Sequence, residues 1–525
     1  MTRWATMRLL GGVLAALALA VLALPAAPAL AAPQGKVVIA QGVDPTTLDP
    51  HLHLETPASN VLLQIYDTLL FRDKDLNLVP WLAESWRSVN PTTWEFTIRK
   101  GVKFHNGEDV DAEAVKYSLE RIIDPNTKPQ RQITFFSLVE RVDVVDKHTA
   151  RVVTKKPFPV LPNNLALLGN IVPPKYFKSS DMAHLAKNPV GSGPYKFVRW
   201  NKDEQIVMEA NEQWWGGPPK VKMLVFRPIP EHAVRVAALQ AGEIDIAVNI
   251  PPHLVPIIDK HPKLYVTKAP SVRTIFIPIY THKFDTTNKL VGPVEHPTKD
   301  KRVRQALNLA VNIDEVIKTV LEGQAIRVAS PLTPKHFGFD AKMAPYKPDP
   351  DAVKKLLTEA GFPNGLDLVL NSPDGRYLKD KEVSEAVAGQ LTKAGIRTKV
   401  RVYEWTTYLN KYVYVHGADP MYLIGWGNTN WDADGTLFPL FRSNQPLSNF
   451  YNADFDGLVE DAKVNTDPKV RLERYAQALK LFRDEAPVIP LYQQMDLYGA
   501  NKRVGFQALS SEQIVGVWLS LRDGK

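Results

Sequence analysis

Cysteine is absent from all 525 residues. No disulfide can staple the fold, and no thiolate can act as nucleophile or metal ligand, so packing alone must hold the chain together, which its size permits. No cysteine stands where a lipid would be attached after export, so a freely diffusing exported protein is expected rather than a lipid-anchored one. Long apolar runs are missing beyond residue 31; nothing later approaches the roughly 18 to 20 apolar residues of a membrane span. The formal net charge is +8, of which Arg3 and Arg8 supply two, and the basic residues are spread out rather than blocked. Nucleic acid binding needs a clustered basic face and is therefore not expected. Internal repeats and flexible Gly/Ser linkers are also missing, so domains should be joined by ordered crossings.

Signatures of catalysis are scarce too. There is no Gly-x-Ser-x-Gly elbow, no phosphate-cradling glycine loop and no His-Glu-x-x-His helix. His51 and His53 are the one close histidine pair. Solvated loop histidines are commoner than a metal pair, and neither a metal nor another cofactor is expected. Asp432 and Asp434 form a spaced carboxylate pair beside Trp431 of the kind a glycosidase uses, although local spacing does not set the separation across a substrate. An enzyme is not expected.

What is present begins with an export leader. Arg3 and Arg8 precede the apolar stretch Leu9 to Leu30, which Pro25 and Pro28 interrupt, and Ala29-Leu30-Ala31 offers a small-x-small cleavage pattern. Residues 1–31 read as a signal peptide cleaved after Ala31, which places the mature chain in the periplasm. Beyond it, short apolar strands alternate with amphipathic helices, an α/β pattern. Val37–Gln41 reads as a strand ending in a Pro/Thr-rich turn. Asp111 caps a helix with the stripe Val115, Leu119 and Ile122, and Asp349-Pro350 opens another that closes at Gly361. Asp467-Pro468 opens a third, expected to bury Leu472, Tyr475, Leu479 and Phe482. Val383 to Ala394 is a helix feeding a half-buried strand, Ile396–Val402. Trp94 to Gly107 reads as hairpin structure with its turn at Asn106-Gly107.

Several blocks together resemble a known family. In order they are Tyr66-Asp67-Thr68-Leu69-Leu70, Pro80 to Trp86, Trp94 to Gly107, Pro189-Val-Gly-Ser-Gly-Pro-Tyr195 and Asn211-x-x-Trp-Trp-Gly216. Gly242-Glu-Ile-Asp245, Arg302 to Leu307, Leu356 to Gly365, Gly425-Trp426 and Pro490-Leu-Tyr492 follow. This series resembles the extracellular solute-binding proteins of the peptide, nickel and opine class, the receptors of dipeptide and oligopeptide ABC importers. The resemblance implies a type II periplasmic binding protein fold: two α/β lobes, an extra N-terminal subdomain and a hinge of two crossings. Mapped here, lobe I comprises residues 33–61, 189–270 and 490–525, the subdomain 62–188, and lobe II 271–489. The crossings fall near Ala269–Pro278 and Pro487–Tyr492. A ligand touching both lobes favours the shut form, which the permease subunits in the inner membrane then recognise. A monomer is expected.

The same resemblance directs attention to the inter-lobe loops. It implies ligand contacts from Thr46, Thr47 and Leu48, from Gly425, Trp426, Gly427 and Asn428 as a strand edge, from the indole of Trp431, and from Tyr492. Arg376-Tyr377 lies where peptide-binding relatives hold a carboxylate, whereas Tyr403-Glu404-Trp405 is expected to support the lobe. Relatives place an ammonium-binding aspartate three residues after the Gly-Trp pair; here that position is Thr429. Asp432 or Asp434 then takes its place, or the ligand lacks a free ammonium. The expected cargo is a peptide or peptide-like polar solute, with glutathione, an opine or a small oligosaccharide as alternatives. A secreted hydrolase using Asp432 or Asp434 and a peptide-binding chaperone are the competing functions.

Overall fold

The computed structural model describes residues 32–127, 132–414 and 419–522. The expected signal peptide and its cleavage site lie outside these residues.

A nine-stranded mixed sheet runs through the molecule. Its order is Ile424–Gly427, Leu264–Pro278, Val488–Asn501, Ile246–Ala247, Gln34–Gln41, Val221–Pro228, Gln205–Ala210 and Tyr195–Asn201, with Ala325–Arg327 also pairing Val488–Asn501. Gln34–Gln41 sits parallel to both its neighbours, and its last five residues are buried. The two longest strands, Leu264–Pro278 and Val488–Asn501, lie antiparallel and connect two separately packed regions. Their register shifts between Pro270 and Thr274, where Gln493 Nε2 donates to the carbonyl of Ser271 at 2.6 Å.

Three buried cores surround this sheet. One, with Val37, Ile39, Leu62, Ile65 and Phe226, packs against its first strands. A second runs from Leu69 to Ile171 around the four-stranded antiparallel sheet of Ala83–Asn90, Thr93–Ile98, Thr149–Thr154 and Val139–Asp146. The third fills the region that holds the parallel sheet of Ile396–Tyr403, Leu366–Pro373 and Met421–Tyr422. The chain thus has the expected α/β class.

Capping chemistry explains where the helices begin. Asp111 Oδ1 accepts from Ala114 N at 3.1 Å at the start of Ala112–Ile123, whose Val115, Leu119 and Ile122 are fully buried. Asp349 does the same for Pro350–Glu359 through Ala352 N at 3.0 Å, and Gly361 beyond that helix sits at φ +91°. Asp467 accepts from Lys469 N ahead of Pro468–Glu485. On this last helix the expected inner face is off by one position: Leu472 is 44 % exposed and Arg471 is buried instead, because its guanidinium is drawn inward to Asp432. Two strand readings also change. Thr93–Ile98 pairs with Ala83–Asn90 and Thr149–Thr154, so the Asn106-Gly107 turn closes only the isolated Lys103–Asp109 bridge. Ile396–Tyr403 is an edge strand with only Ile396 fully buried, and Val402 faces solvent.

Several sequence blocks converge on one carboxylate. The buried Asp67 accepts from Trp81 Nε1 at 2.7 Å, Trp215 Nε1 at 3.0 Å, Trp214 Nε1 at 3.4 Å and the Ser192 hydroxyl at 3.0 Å. Burial pushes its pKa up to about 6 despite these donors. Gly191 is required beside it, since a Cβ there would stand 2.1 Å from the carbonyl oxygen of Ile65. These blocks anchor the subdomain sheet to the first core.

Candidate ligand-binding cleft

A cleft partly open to solvent lies where the three cores meet. One wall comes from His53 to Thr56 and the helix Thr56–Ile65 that follows, and another from the subdomain through Phe71, Trp81 and Leu168. The facing wall is made by Arg376-Tyr377, Trp405, and the strand Ile424–Gly427 with Thr429; Ser511 to Val517 closes one side.

Arg376 is held in place by an acidic nest. The carboxylate of Asp380 accepts from the backbone N–H groups of Gly375, Arg376, Tyr377 and Lys381 at 2.9 to 3.1 Å, fixing the tight loop before the helix Asp380–Lys393. The Arg376 guanidinium then lies over the rings of Tyr377 and Trp405, 4.7 and 5.3 Å from their centroids. It is 8 % exposed, and among the described residues no carboxylate pairs with it; its Nε has no hydrogen-bond partner. Burial first, and then the like charge of Arg273, lower its pKa. The indole Nε1 of the buried Trp405 is likewise without an acceptor. A buried cation and an adjacent N–H without acceptors are costly, and an incoming anion relieves both.

Arg273 is arranged differently. It donates to both oxygens of Glu512 at 2.6 Å, to Thr56 Oγ1 at 2.6 Å and to the carbonyl of Gly425 at 2.7 Å. It thereby ties the first wall to the facing one. Burial alone would raise the Glu512 carboxyl, but Arg273 beside it holds it below its ordinary value. Gly425 also accepts from the Tyr377 hydroxyl at 3.2 Å, and a Cβ at Gly425 would come within 2.7 Å of the Tyr377 ring.

Of the residues singled out in the sequence, the cleft brings together Arg376, Tyr377, Gly425, Trp426, Gly427 and Thr429. The others stand behind its walls. Leu48 is wholly buried in the first core, and Thr47 accepts from Asp49 N. Thr46 reaches the cleft only indirectly, by donating to Glu55 Oε1 at 2.7 Å, because the chain enters the wall at His53 rather than at the turn before it. Asn428 is buried and donates to the carbonyl of Asp432 and to Thr436 Oγ1. Trp431, at φ +62°, stacks on His336 and lies under Arg72. Tyr492 is buried opposite Ile275 in the central sheet.

Asp432 and Asp434 are both committed elsewhere. Asp432 accepts from Arg471 through both oxygens at 2.8 Å and from Tyr475, and Asp434 lies 3.6 Å from Lys463 Nζ, all of them buried. Neither lines the cleft, so neither stands in for the aspartate missing at Thr429. His51 is taken up as well: its Nδ1 accepts from Arg121 at 2.9 Å and its Nε2 faces the Asn170 carbonyl at 3.0 Å. Burial and Arg121 lower its pKa to about 4. Among the described residues, no cluster of three His, Asp or Glu is placed to hold a metal.

Sequence reading missed Arg273, Glu512 and the role of Trp405. A lone arginine inside the apolar strand Leu264–Pro278 was the available signal for the first. Trp405 was expected only to support the lobe; its ring does so by packing on Tyr377, and the residue also lines the cleft.

Away from the cleft lining, hydrogen bonds join the subdomain to the region that carries the facing wall. Asn430 Nδ2 donates to Asn164 Oδ1 at 3.1 Å, Thr134 Oγ1 to Gln445 Oε1 at 3.0 Å, and Lys463 Nζ to the Thr134 carbonyl at 3.4 Å.

Lobes joined by paired long strands, with a buried and incompletely satisfied cleft between them, define a two-lobed binding protein of the type II periplasmic class. The chain belongs to the bacterial extracellular solute-binding proteins, family 5, whose model matches residues 77–447. It is the solute-binding component of an ABC importer system. It is 30 % identical over 486 residues to the glutathione-binding protein GsiB of Pectobacterium atrosepticum, covering 90 % of this chain and 91 % of that one. It is 29 % identical to heme-binding protein A of Haemophilus influenzae, covering 88 % and 87 %. Among solved structures, the periplasmic binding protein DppA of Helicobacter pylori in complex with the peptide STSA superposes with a TM-score of 0.85 at 27 % identity, covering 93 % of this chain and 98 % of that one. These relatives are binding proteins. No described helix is long and apolar enough to cross a membrane.

Proposed function

We propose that this protein captures a peptide-like solute bearing a carboxylate and delivers it to membrane permease subunits of its importer. The observation that carries the reading is that Arg376 and Trp405, which both line the cleft with the guanidinium over the indole ring, each keep a buried donor without an acceptor, Arg376 Nε and Trp405 Nε1. A planar guanidinium matches a carboxylate through paired N–H donors. Glutathione, named in the relatives at about this identity, and the peptide of the DppA complex both belong to this chemical class.

In this reading the leader through Ala31 is removed on export and the mature chain works in the periplasm as a monomer. Lobe I (33–61, 189–270, 490–525), the subdomain (62–188) and lobe II (271–489) close over the solute by bending where Leu264–Pro278 and Val488–Asn501 shift register. Besides Arg376 and Tyr377, the strand Gly425 to Gly427 and Thr429 supply solute contacts. Calorimetric titration of ligand-stripped protein with di- and tripeptides, glutathione, an opine and a disaccharide tests the reading. Carboxylate-bearing solutes should bind, and Arg376→Gln should weaken them about 100-fold. Binding of the disaccharide alone overturns it.

A further inference from the structure

We infer that the preferred solute has no free ammonium and carries a large apolar body behind its carboxylate, as in an N-acylated hydrophobic peptide. This rests on the carboxylate-receptor reading and narrows it to a substrate class.

The charges on the wall argue for the blocked amine. Among the described residues the one acidic side chain lining the cleft is Glu55, while Glu512 stands behind the wall beside Arg273, and both already hold donors. Glu512 accepts from Arg273 at both oxygens and from the Ser271 hydroxyl at 2.6 Å. Glu55 accepts from the Thr46 hydroxyl at 2.7 Å and from Leu54 N at 3.1 Å. An ammonium entering this space would find only Glu55, whose oxygens already serve Thr46 and Leu54, and anywhere else along the wall it would leave its charge unmatched in a desolvated site, which is costly. Arg376 is in the opposite condition: among the described residues no carboxylate forms an ion pair with its guanidinium, and its Nε has no hydrogen-bond partner. Thr429, on the wall, offers a hydroxyl and no charge.

The rest of the lining argues for the apolar body. Leu62, Leu63, Phe71, Leu168, Val515 and Val517 present hydrocarbon to the cleft. A strongly hydrated solute would leave these side chains unfilled and lose its own water, whereas a hydrophobic body gains from their burial. An acyl cap does both things at once: it removes the ammonium and adds surface that packs.

The test uses calorimetry on ligand-stripped full-length mature protein with leucyl-phenylalanine, its N-acetyl derivative, the amide of that derivative, and glutathione. The N-acetyl peptide should bind at least about tenfold more tightly than the free-amine peptide, and more tightly than glutathione. The amide should lose about 100-fold relative to the N-acetyl acid. Thr429→Asp, which puts a carboxylate on the wall, should shift the ratio of acetylated to free affinity toward the free amine by about tenfold or more. Tighter binding of the free-amine peptide or of glutathione overturns this inference and leaves the carboxylate reading standing. An amide that binds as well as the acid overturns the carboxylate reading itself. If no member of the panel binds at millimolar concentration, both fall.

Discussion

Arg471 and Arg376 are both buried guanidiniums, 7 % and 8 % exposed, and both lie against aromatic rings. Arg471 meets both oxygens of Asp432, the hydroxyl of Tyr475 and the carbonyl of Ala462. Arg376 meets ring faces, and its Nε meets no acceptor. The first cluster is internally complete and has nothing to offer a solute. The second is held rigidly by Asp380 and left chemically unfinished. Burial and charge alone therefore do not mark a binding site; the missing counter-charge does.

The sharpest way to break this contrast is Asp432→Ala. It strands Arg471 and should destabilise the protein by about 3 to 5 kcal/mol in chemical denaturation, with little change in affinity among molecules that remain folded. Arg376→Gln should do the reverse: affinity for a carboxylate solute falls by about 2 to 3 kcal/mol while the denaturation midpoint stays level or rises, since no ion pair is lost. If Arg376→Gln destabilises as much as Asp432→Ala, the distinction between the two arginines is wrong. Gly425→Ala should cost about 1 to 3 kcal/mol in stability and also weaken binding, because its Cβ would push on Tyr377, which packs under Arg376. Asn164→Ala strands the Phe135 carbonyl and Asn430 Nδ2, and should lower stability by about 1 to 3 kcal/mol and affinity by about 1 kcal/mol for every solute alike, read by denaturation and by titration with chemically different ligands.

Acid tests the histidines that neither arginine touches. His51 and His336 are buried and His105 half-buried, and all three are neutral, with pKa values lowered to about 4 mainly by desolvation, against an ordinary 6.5. The unfolded chain takes up protons below pH 6.5 that the folded one refuses until about pH 4. Stability contributed by these groups is therefore present above pH 6.5 and lost as pH falls toward 4. Asp67 works in the opposite sense, because its raised pKa of about 6 lets the folded state bind a proton first. His336→Gln should flatten the slope of stability against pH in this window by about 1.4 kcal/mol per pH unit, read from denaturation midpoints at fixed ionic strength.

Helix beginnings were legible in the sequence because an Asp cap followed by proline or alanine acts locally, as at Asp111, Asp349 and Asp467. The inner face of Pro468–Glu485 was legible at Tyr475, Leu479 and Phe482 but not at Leu472, whose place Arg471 takes by turning inward for a partner 39 positions away. The cleft was legible in part for the same reason. Arg376 and Gly425-Trp426 stood out through family resemblance, and they do line it. Glu512 and Arg273, 239 positions apart, meet only after the chain has folded back beside its long central strands, and no local spacing announces that. Asp432 attracted attention as an isolated carboxylate near a tryptophan; only the fold reveals that its charge is already matched.

The bridges from Asn430 to Asn164 and from Thr134 to Gln445 have a further side. They join positions 266 and 311 apart in the chain, and none of the four residues lines the cleft. Bridges that form only in a shut shape would favour that shape with or without solute, and a permease that reads shape alone would then also meet unloaded receptors. Strengthening them would slow the escape of every solute and raise the share of such futile encounters together.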